Sequence, residues 1–160
     1  MQGMTSHQSP SCSTPSKFAD EAVATRGVQD MDSNTPVRVL IVDDNFVFLK
    51  RLDELVASFA GFEVTCLASS SEEALQLLET REVDLLITDL VMPRISGLEL
   101  TRCVKSKNLV PRVMVVSGHD DLAYRHSAIR AGADGFLTKG DLHGQLGPFL
   151  SLLFLEQRTP

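Results

Sequence analysis

The chain has 160 residues, 43% of them hydrophobic and 22% charged, which fits one globular domain with room for a core. A net charge of −6 and the absence of any basic run argue against a surface built for nucleic acid, because backbone binding relies on clustered Lys and Arg. Cys12, Cys66 and Cys103 lie scattered, with no CxxC pair and no histidines at metal-ligand spacing, so neither a disulfide framework nor a zinc site is indicated. No charged start leads into an apolar stretch, and no apolar run reaches the roughly 20 residues of a membrane helix, so a soluble, cytoplasmic protein without membrane insertion is expected.

Residues 1–36 are rich in Ser, Thr, Gly, Asn and Pro and poor in large apolar side chains, and are expected to form a disordered tail. Within it, Phe18, Ala22 and Val23 give a faint amphipathic pattern compatible with a partner-induced helix. At Val37 the composition changes. Val37–Val42 is β-branched and apolar and runs into Asp43-Asp44-Asn45, the signature of a buried strand with acids at its carboxyl end. Helical spacing follows through Val47 or Phe48, Leu52, Leu55, Val56 and Phe59, with Gly61 where a helix terminates. Glu63–Leu67 reads as a second strand. Ser70 or Ser71 then caps a helix carrying Ala74, Leu75, Leu77 and Leu78.

Leu85–Thr88 is an unbroken apolar or β-branched run, as suits a strand covered on both faces, and it ends in Asp89. Pro93 and Gly97 mark the loop beyond it, before a third helix within residues 96–108. Val113–Val116 is a fourth strand leading to Ser117-Gly118-His119, and Asp120 or Asp121 caps a helix that ends at Ala131-Gly132. Gly135–Thr138 is a short fifth strand followed by Lys139. The last segment, Leu142–Leu155, is apolar but carries Gly144, Gly147 and Pro148, all poor helix-interior residues, so a broken or shortened helix is expected. Leu142, Leu146, Phe149 and Leu153 could face the core, which leaves Leu152, Phe154 and Leu155 in excess.

Five strands alternating with helices imply βα units, right-handed crossovers and a three-layer α/β sandwich around a parallel sheet. All strand carboxyl ends then share one edge, where such sheets bind ligands, and Asp43, Asp44, Asp89, Ser117 and Lys139 can converge there. Taken singly these residues have plain readings: Asp89 capping a turn, Ser117 in a Ser/Thr turn, Lys139 solvated at a strand end. Together they suggest a nucleophile or metal ligand with its charge partners.

The set Val42-Asp43-Asp44, Thr88-Asp89-Leu90-Val91-Met92-Pro93 with Gly97, Val116-Ser117-Gly118 and Phe136-Leu137-Thr138-Lys139 resembles the receiver domain of bacterial two-component response regulators, the chemotaxis regulator among them. The resemblance covers the receiver segment 37–157 and implies the flavodoxin-like, doubly wound strand order 2-1-3-4-5. It further implies phosphorylation on Asp89 by a sensor histidine kinase or a histidine phosphotransfer protein. Magnesium, or manganese in its place, would be held by Asp43, Asp44, Asp89 and the backbone carbonyl of Val91. By the same resemblance Ser117 is the switch hydroxyl, Lys139 the phosphate-pairing lysine and Phe136 an aromatic that turns inward from an outward position. A core strand aromatic is the plainer reading of Phe136. Val91 and His119 stand where the family tunes dephosphorylation.

The residue types suit that chemistry. Three crowded carboxylates want a cation, and magnesium, a hard ion, takes carboxylates together with water and phosphate oxygens. Phosphoryl transfer asks of the protein little more than an in-line nucleophile and neutralisation of the equatorial oxygens. Gly140 follows Lys139 where many receivers have proline, so no cis X–Pro bond can form there. No output domain fits after Leu155, so a stand-alone receiver is expected, not an enzyme beyond self-catalysed transfer and slow autodephosphorylation. It would signal to a downstream protein target, a homodimer through helix four, strand five and helix five being one form of output. The alternative is a phosphorylation-independent interaction module of the same fold. An aspartyl-phosphate phosphatase would want an Asp-x-Asp pair, which Asp89-Leu90-Val91 lacks.

Overall fold

The computed structural model describes residues 35–110 and 112–155. The expected tail, with its Phe18–Val23 pattern, lies outside the described residues. Five strands, β1 (Val37–Val42), β2 (Phe62–Ala68), β3 (Leu85–Asp89), β4 (Arg112–Ser117) and β5 (Gly135–Thr138), form one parallel sheet in the order 2-1-3-4-5. The helices are α1 (Phe46–Ala57), α2 (Ser71–Thr80), α3 (Gly97–Ser106), α4 (Leu122–Ala131) and α5 (Leu142–Leu155).

The period-two alternation of the central strands divides the core. Val39, Ile41, Leu85, Ile87, Met114 and Val116 point to one side, where Leu49, Leu52 and Val56 of α1 and Leu142, Leu146 and Leu150 of α5 cover them. Leu40, Val42, Leu86 and Val113 point to the other, beneath Ala74 and Leu78 of α2 and Leu100 and Val104 of α3. Under α4, Leu90, Val115, Ala128 and Phe136 form a smaller cluster. Because both faces are covered, the central strands read as largely continuous apolar runs, whereas edge strand β2 alternates.

Caps fix where the helices begin. The Asn45 side chain accepts from Phe48 N–H, Ser70 from Glu73 N–H and Asp121 from Ala123 N–H. Ser96 and Glu99 form a reciprocal capping box, whose Ser96 N–H and hydroxyl hold the Glu99 carboxyl below its usual range. Gly61, expected at the end of the first helix, instead carries the turn into β2. α1 stops at Ala57 with Ser58 as its cap, while Gly61 sits at φ 86° and its carbonyl accepts from Val37 N–H at 2.8 Å.

The last helix corrects two expectations. α5 runs unbroken through Pro148. Leu142, Leu146 and Leu150, four residues apart, are all buried, and each contributes about 1.5–3 kcal/mol, together more than the roughly 3 kcal/mol an interior proline costs. Gly147 is there because the backbone passes close to Phe59, whose Cε1 would lie 2.7 Å from an added Cβ. Second, Leu150 joins Leu142 and Leu146 in the buried stripe while Phe149 and Leu153 pack partly buried against the same core, as expected of them, and Phe154 is not surplus. Its ring stands edge-on to Phe62 at 5.6 Å and 79°, whereas Leu152 projects into solvent. The Leu155 side chain lies outside the described residues.

Candidate functional site

The sheet brings three carboxylates to one place. Asp43 follows β1, Asp89 closes the adjacent β3, and one ligand oxygen from each of Asp43, Asp44 and Asp89 lies within 4.8 Å of the others. Asp43 is 1% exposed and Asp89 8%, whereas Asp44 faces solvent. Asp43 is held from both sides: Asn45 N–H donates to its Oδ1 at 2.8 Å and the Lys139 ammonium to its Oδ2 at 2.6 Å. Lys139 also lies 3.4 Å from Asp89 Oδ1. Burial and then the neighbouring Asp43 charge push the Asp89 carboxyl up from 3.8 to about 6, against the opposing pull of Lys139. A carboxylate under that strain gains from a cation or an incoming electrophile.

The backbone around Asp89 is equally constrained. Leu90 N–H bonds the Val116 carbonyl at 2.8 Å, and Gly97 N–H bonds the Leu90 carbonyl at 3.0 Å, folding the loop back on the strand end. Arg94 stands at φ 67°, a left-handed conformation costing on the order of 1 kcal/mol, and its Nε meets Glu72 at 3.0 Å. The Ser71 hydroxyl donates to the Ile95 carbonyl at 2.9 Å. The first turn of α2 therefore anchors the loop that follows the nucleophile candidate. Val91 presents an exposed side chain from that loop.

Ser117 is fully buried at the end of β4, and its oxygen accepts from His119 N–H at 3.0 Å, the Ser/Thr turn of the plainer reading. Its own O–H remains a donor. The Ser117 carbonyl accepts from Lys139 N–H at 2.7 Å, which sets the root of the lysine. His119 is exposed, its ring 6.2 Å from Tyr124.

Phe136 departs from expectation. The ring is already inside, 4% exposed against Leu90, Val115 and Ala128, and the Arg125 guanidinium lies over it at 5.0 Å. No outward starting position is seen, because the apolar pocket beneath α4 is filled by the ring itself.

Two features escaped sequence reasoning. Phe48 had looked like one more residue of the α1 core stripe, yet its ring lies beneath the Lys139 ammonium at 4.0 Å. Thr138 Oγ1 donates to Asp141 Oδ2 at 2.6 Å, closing the turn after β5. An aromatic four residues past the acid pair was the available signal for the first.

Geometry and sequence agree on one family. Residues 39–146 match the model described as the response regulator receiver domain, and the chain belongs to that family. It is 31% identical over 103 residues to the transcriptional regulatory protein DegU of Brevibacillus brevis and 36% over 104 to the response regulator MprA of Mycolicibacterium vanbaalenii. These matches cover 64% and 65% of this chain, and in both cases 44% of the relative, so the chain spans less than half of their length. Among solved structures, a CheY-like receiver domain protein from Methanospirillum hungatei superposes with a TM-score of 0.67 at 27% identity, covering 77% of this chain and 97% of that one. The response regulator domain of Thermotoga maritima CheB gives 0.65 at 27% identity, covering 78% and 99%. Among the described residues no helix is long and apolar enough to cross a membrane.

Proposed function

We propose that this receiver accepts a phosphoryl group on Asp89 from a phosphohistidine of a sensor kinase or phosphotransfer protein, and passes the signal on through protein contacts. The observation that carries this reading is the convergence of Asp43, Asp44, Asp89 and Lys139: a nucleophilic carboxylate, raised to about 6 by burial and Asp43, faces a fixed ammonium. At pH 7 Asp89 is still mostly ionised. One of its oxygens attacks phosphorus, the P–N bond breaks, and the imidazole nitrogen leaves with the electron pair and takes a proton from water. The product is an aspartyl phosphate, which water later cleaves to inorganic phosphate and the free carboxylate.

The donor set fits a hard divalent cation. Asp43, Asp44 and Asp89 supply carboxylate oxygens within 4.8 Å of one another, and the Val91 carbonyl is a further ligand by family resemblance. Bound there, magnesium or manganese would neutralise charge on the phosphoryl oxygens. The chain's own part is positional. Lys139, held on Asp43, keeps a positive charge 3.4 Å from the Asp89 oxygen. Ser117 can donate its O–H to a phosphoryl oxygen, and a side-chain turn that broke the His119 N–H contact in doing so would lose about 1 kcal/mol against a gain of about 1.5–3 for a bond to a charged group. Val91 and His119, both exposed beside the site, set the access of water to the aspartyl phosphate.

The output follows from the same balance. With Phe136 packed inside already, withdrawal of Ser117 consolidates that packing rather than drawing the ring inward. The receiving surface is the face of α4, β5 and α5, toward a downstream protein or a second copy. A ligand that bound both states equally would transmit nothing. Catalysis beyond self-phosphorylation and autodephosphorylation is not part of this reading. Incubation with Mg²⁺ and a small phosphodonor should yield one acid-stable, base-labile phosphate. Unlabelled protein would favour the phosphorylation-independent interaction module.

A further inference from the structure

We propose that Phe48 is a positioning residue for Lys139: its ring face holds the ammonium in the place from which it meets the Asp89 carboxylate. The inference deepens the phosphoryl-transfer reading above and rests on it for its kinetic consequence only. The geometry is a closed circuit. Asp43 Oδ1 accepts from Asn45 N–H at 2.8 Å, and Asn45 Oδ1 accepts from Phe48 N–H at 3.1 Å as the cap of α1. The Phe48 ring then lies 4.0 Å from Lys139 Nζ, which returns to Asp43 Oδ2 at 2.6 Å. Every link is local to the site, so the first turn of α1 and the lysine after β5 are fixed against each other.

A lysine side chain has four rotatable bonds, and this one is 26% exposed, so a single ion pair leaves it free to swing about Asp43. The Asp43 contact restrains distance; the ring restrains direction. The negative face of an aromatic attracts a cation at this range, and the half-buried Phe48 is itself seated on the core beside Leu49 and Leu52. Lys139 is thus confined between a carboxylate and a ring, 3.4 Å from Asp89 Oδ1. Leucine at position 48 would keep the core contact and lose the charge attraction.

Replacing Phe48 with mono-, di- and trifluorophenylalanine tests this, since fluorination drains the ring face of negative charge at nearly constant size. Two readouts are followed across the series in the full chain. One is the NMR order of the Lys139 ε-methylene and ammonium, which needs no phosphorylation; the other is the rate of labelling by acetyl phosphate with Mg²⁺. Order should fall stepwise with fluorination, and the rate should fall about threefold by the trifluoro ring, a size typical of a partly exposed cation–π contact. Phe48→Tyr should match the parent, and Phe48→Leu should match the trifluoro variant. Order indifferent to fluorination would overturn the proposal, the ring then being packing alone. Falling order with a constant rate would overturn the positioning role. If the parent is never labelled while order still follows ring charge, the phosphoryl-transfer reading fails and the holding of Lys139 stands.

Discussion

The α-carbon of Gly97 lies against the carbonyl of Asp89 so closely that an added Cβ would fall 1.9 Å from the oxygen. Gly97 opens α3 and is fully enclosed, so no side chain can swing aside to relieve the contact. Gly97→Ala should cost about 1–3 kcal/mol in urea unfolding, as overpacking does, and slow labelling of Asp89 by shifting its backbone. A variant as stable as the parent would show that the loop is softer than this contact implies.

Asp89 itself is placed at a cost to the fold. Its folded value of about 6 exceeds the ordinary 3.8, so folding favours the neutral acid relative to the unfolded chain and works against the carboxylate that predominates at pH 7. The sign follows: its contribution to stability is fully present below about pH 4 and is lost as pH rises through 6. Asp89→Asn should therefore be more stable than the metal-free parent at pH 7, by on the order of 1–2 kcal/mol after solvent screening. The gap should close below pH 4. Urea unfolding of both proteins from pH 3.5 to 7.5 measures it, and a gap independent of pH would contradict the assigned cause.

Asp44 is the exposed member of the carboxylate cluster. Asp44→Ala should leave the metal-free melting temperature unchanged or slightly higher, because one repulsion is removed, and should reduce the stabilisation that Mg²⁺ gives. Thermal melts with and without Mg²⁺ separate the two effects. An undiminished Mg²⁺ shift would place the cation elsewhere.

On α5 the structure divides two apolar residues that look alike in sequence. Phe154 packs edge-on to Phe62, and Phe154→Ala should cost about 1–3 kcal/mol, below the range for a fully buried ring because Phe154 is only partly buried. Leu152 is 57% exposed, and Leu152→Glu should change stability by no more than about 0.5 kcal/mol. If the phosphorylated protein self-associates through this face, sedimentation should show Leu152→Glu remaining monomeric under phosphodonor. Equal association of variant and parent would remove Leu152 from the interface.

What was legible in the sequence was whatever a repeating local pattern encodes. Apolar runs at Val37–Val42, broken only by Arg38, and unbroken ones at Leu85–Thr88 and Val113–Val116 gave the buried strands, and the polar residues closing each run gave the site edge, since parallel pairing puts those ends side by side. The assignments that needed correction depend on contacts between distant segments. Pro148 reads as a helix breaker until Leu142, Leu146 and Leu150 are seen to seat the helix on the sheet, and Phe154 reads as surplus until Phe62 is beside it. Phe136 carries no local mark of whether its ring is in or out; the pocket between Leu90 and Ala128, with Arg125 across it, decides. Phe48 is one apolar helical residue among several, and only Lys139, 91 positions away, gives it a second role.

The most direct test is site-resolved labelling. The parent and Asp89→Asn, each with Mg²⁺ and acetyl phosphate, are reduced with borohydride, which converts an aspartyl phosphate to homoserine, and their peptides are mapped by mass spectrometry. The expected result is one modification in the parent, at Asp89, and none in the variant. Equal labelling of both proteins, or a parent modified only at Asp43 or Asp44, would contradict the assignment of Asp89 as the phosphoryl acceptor.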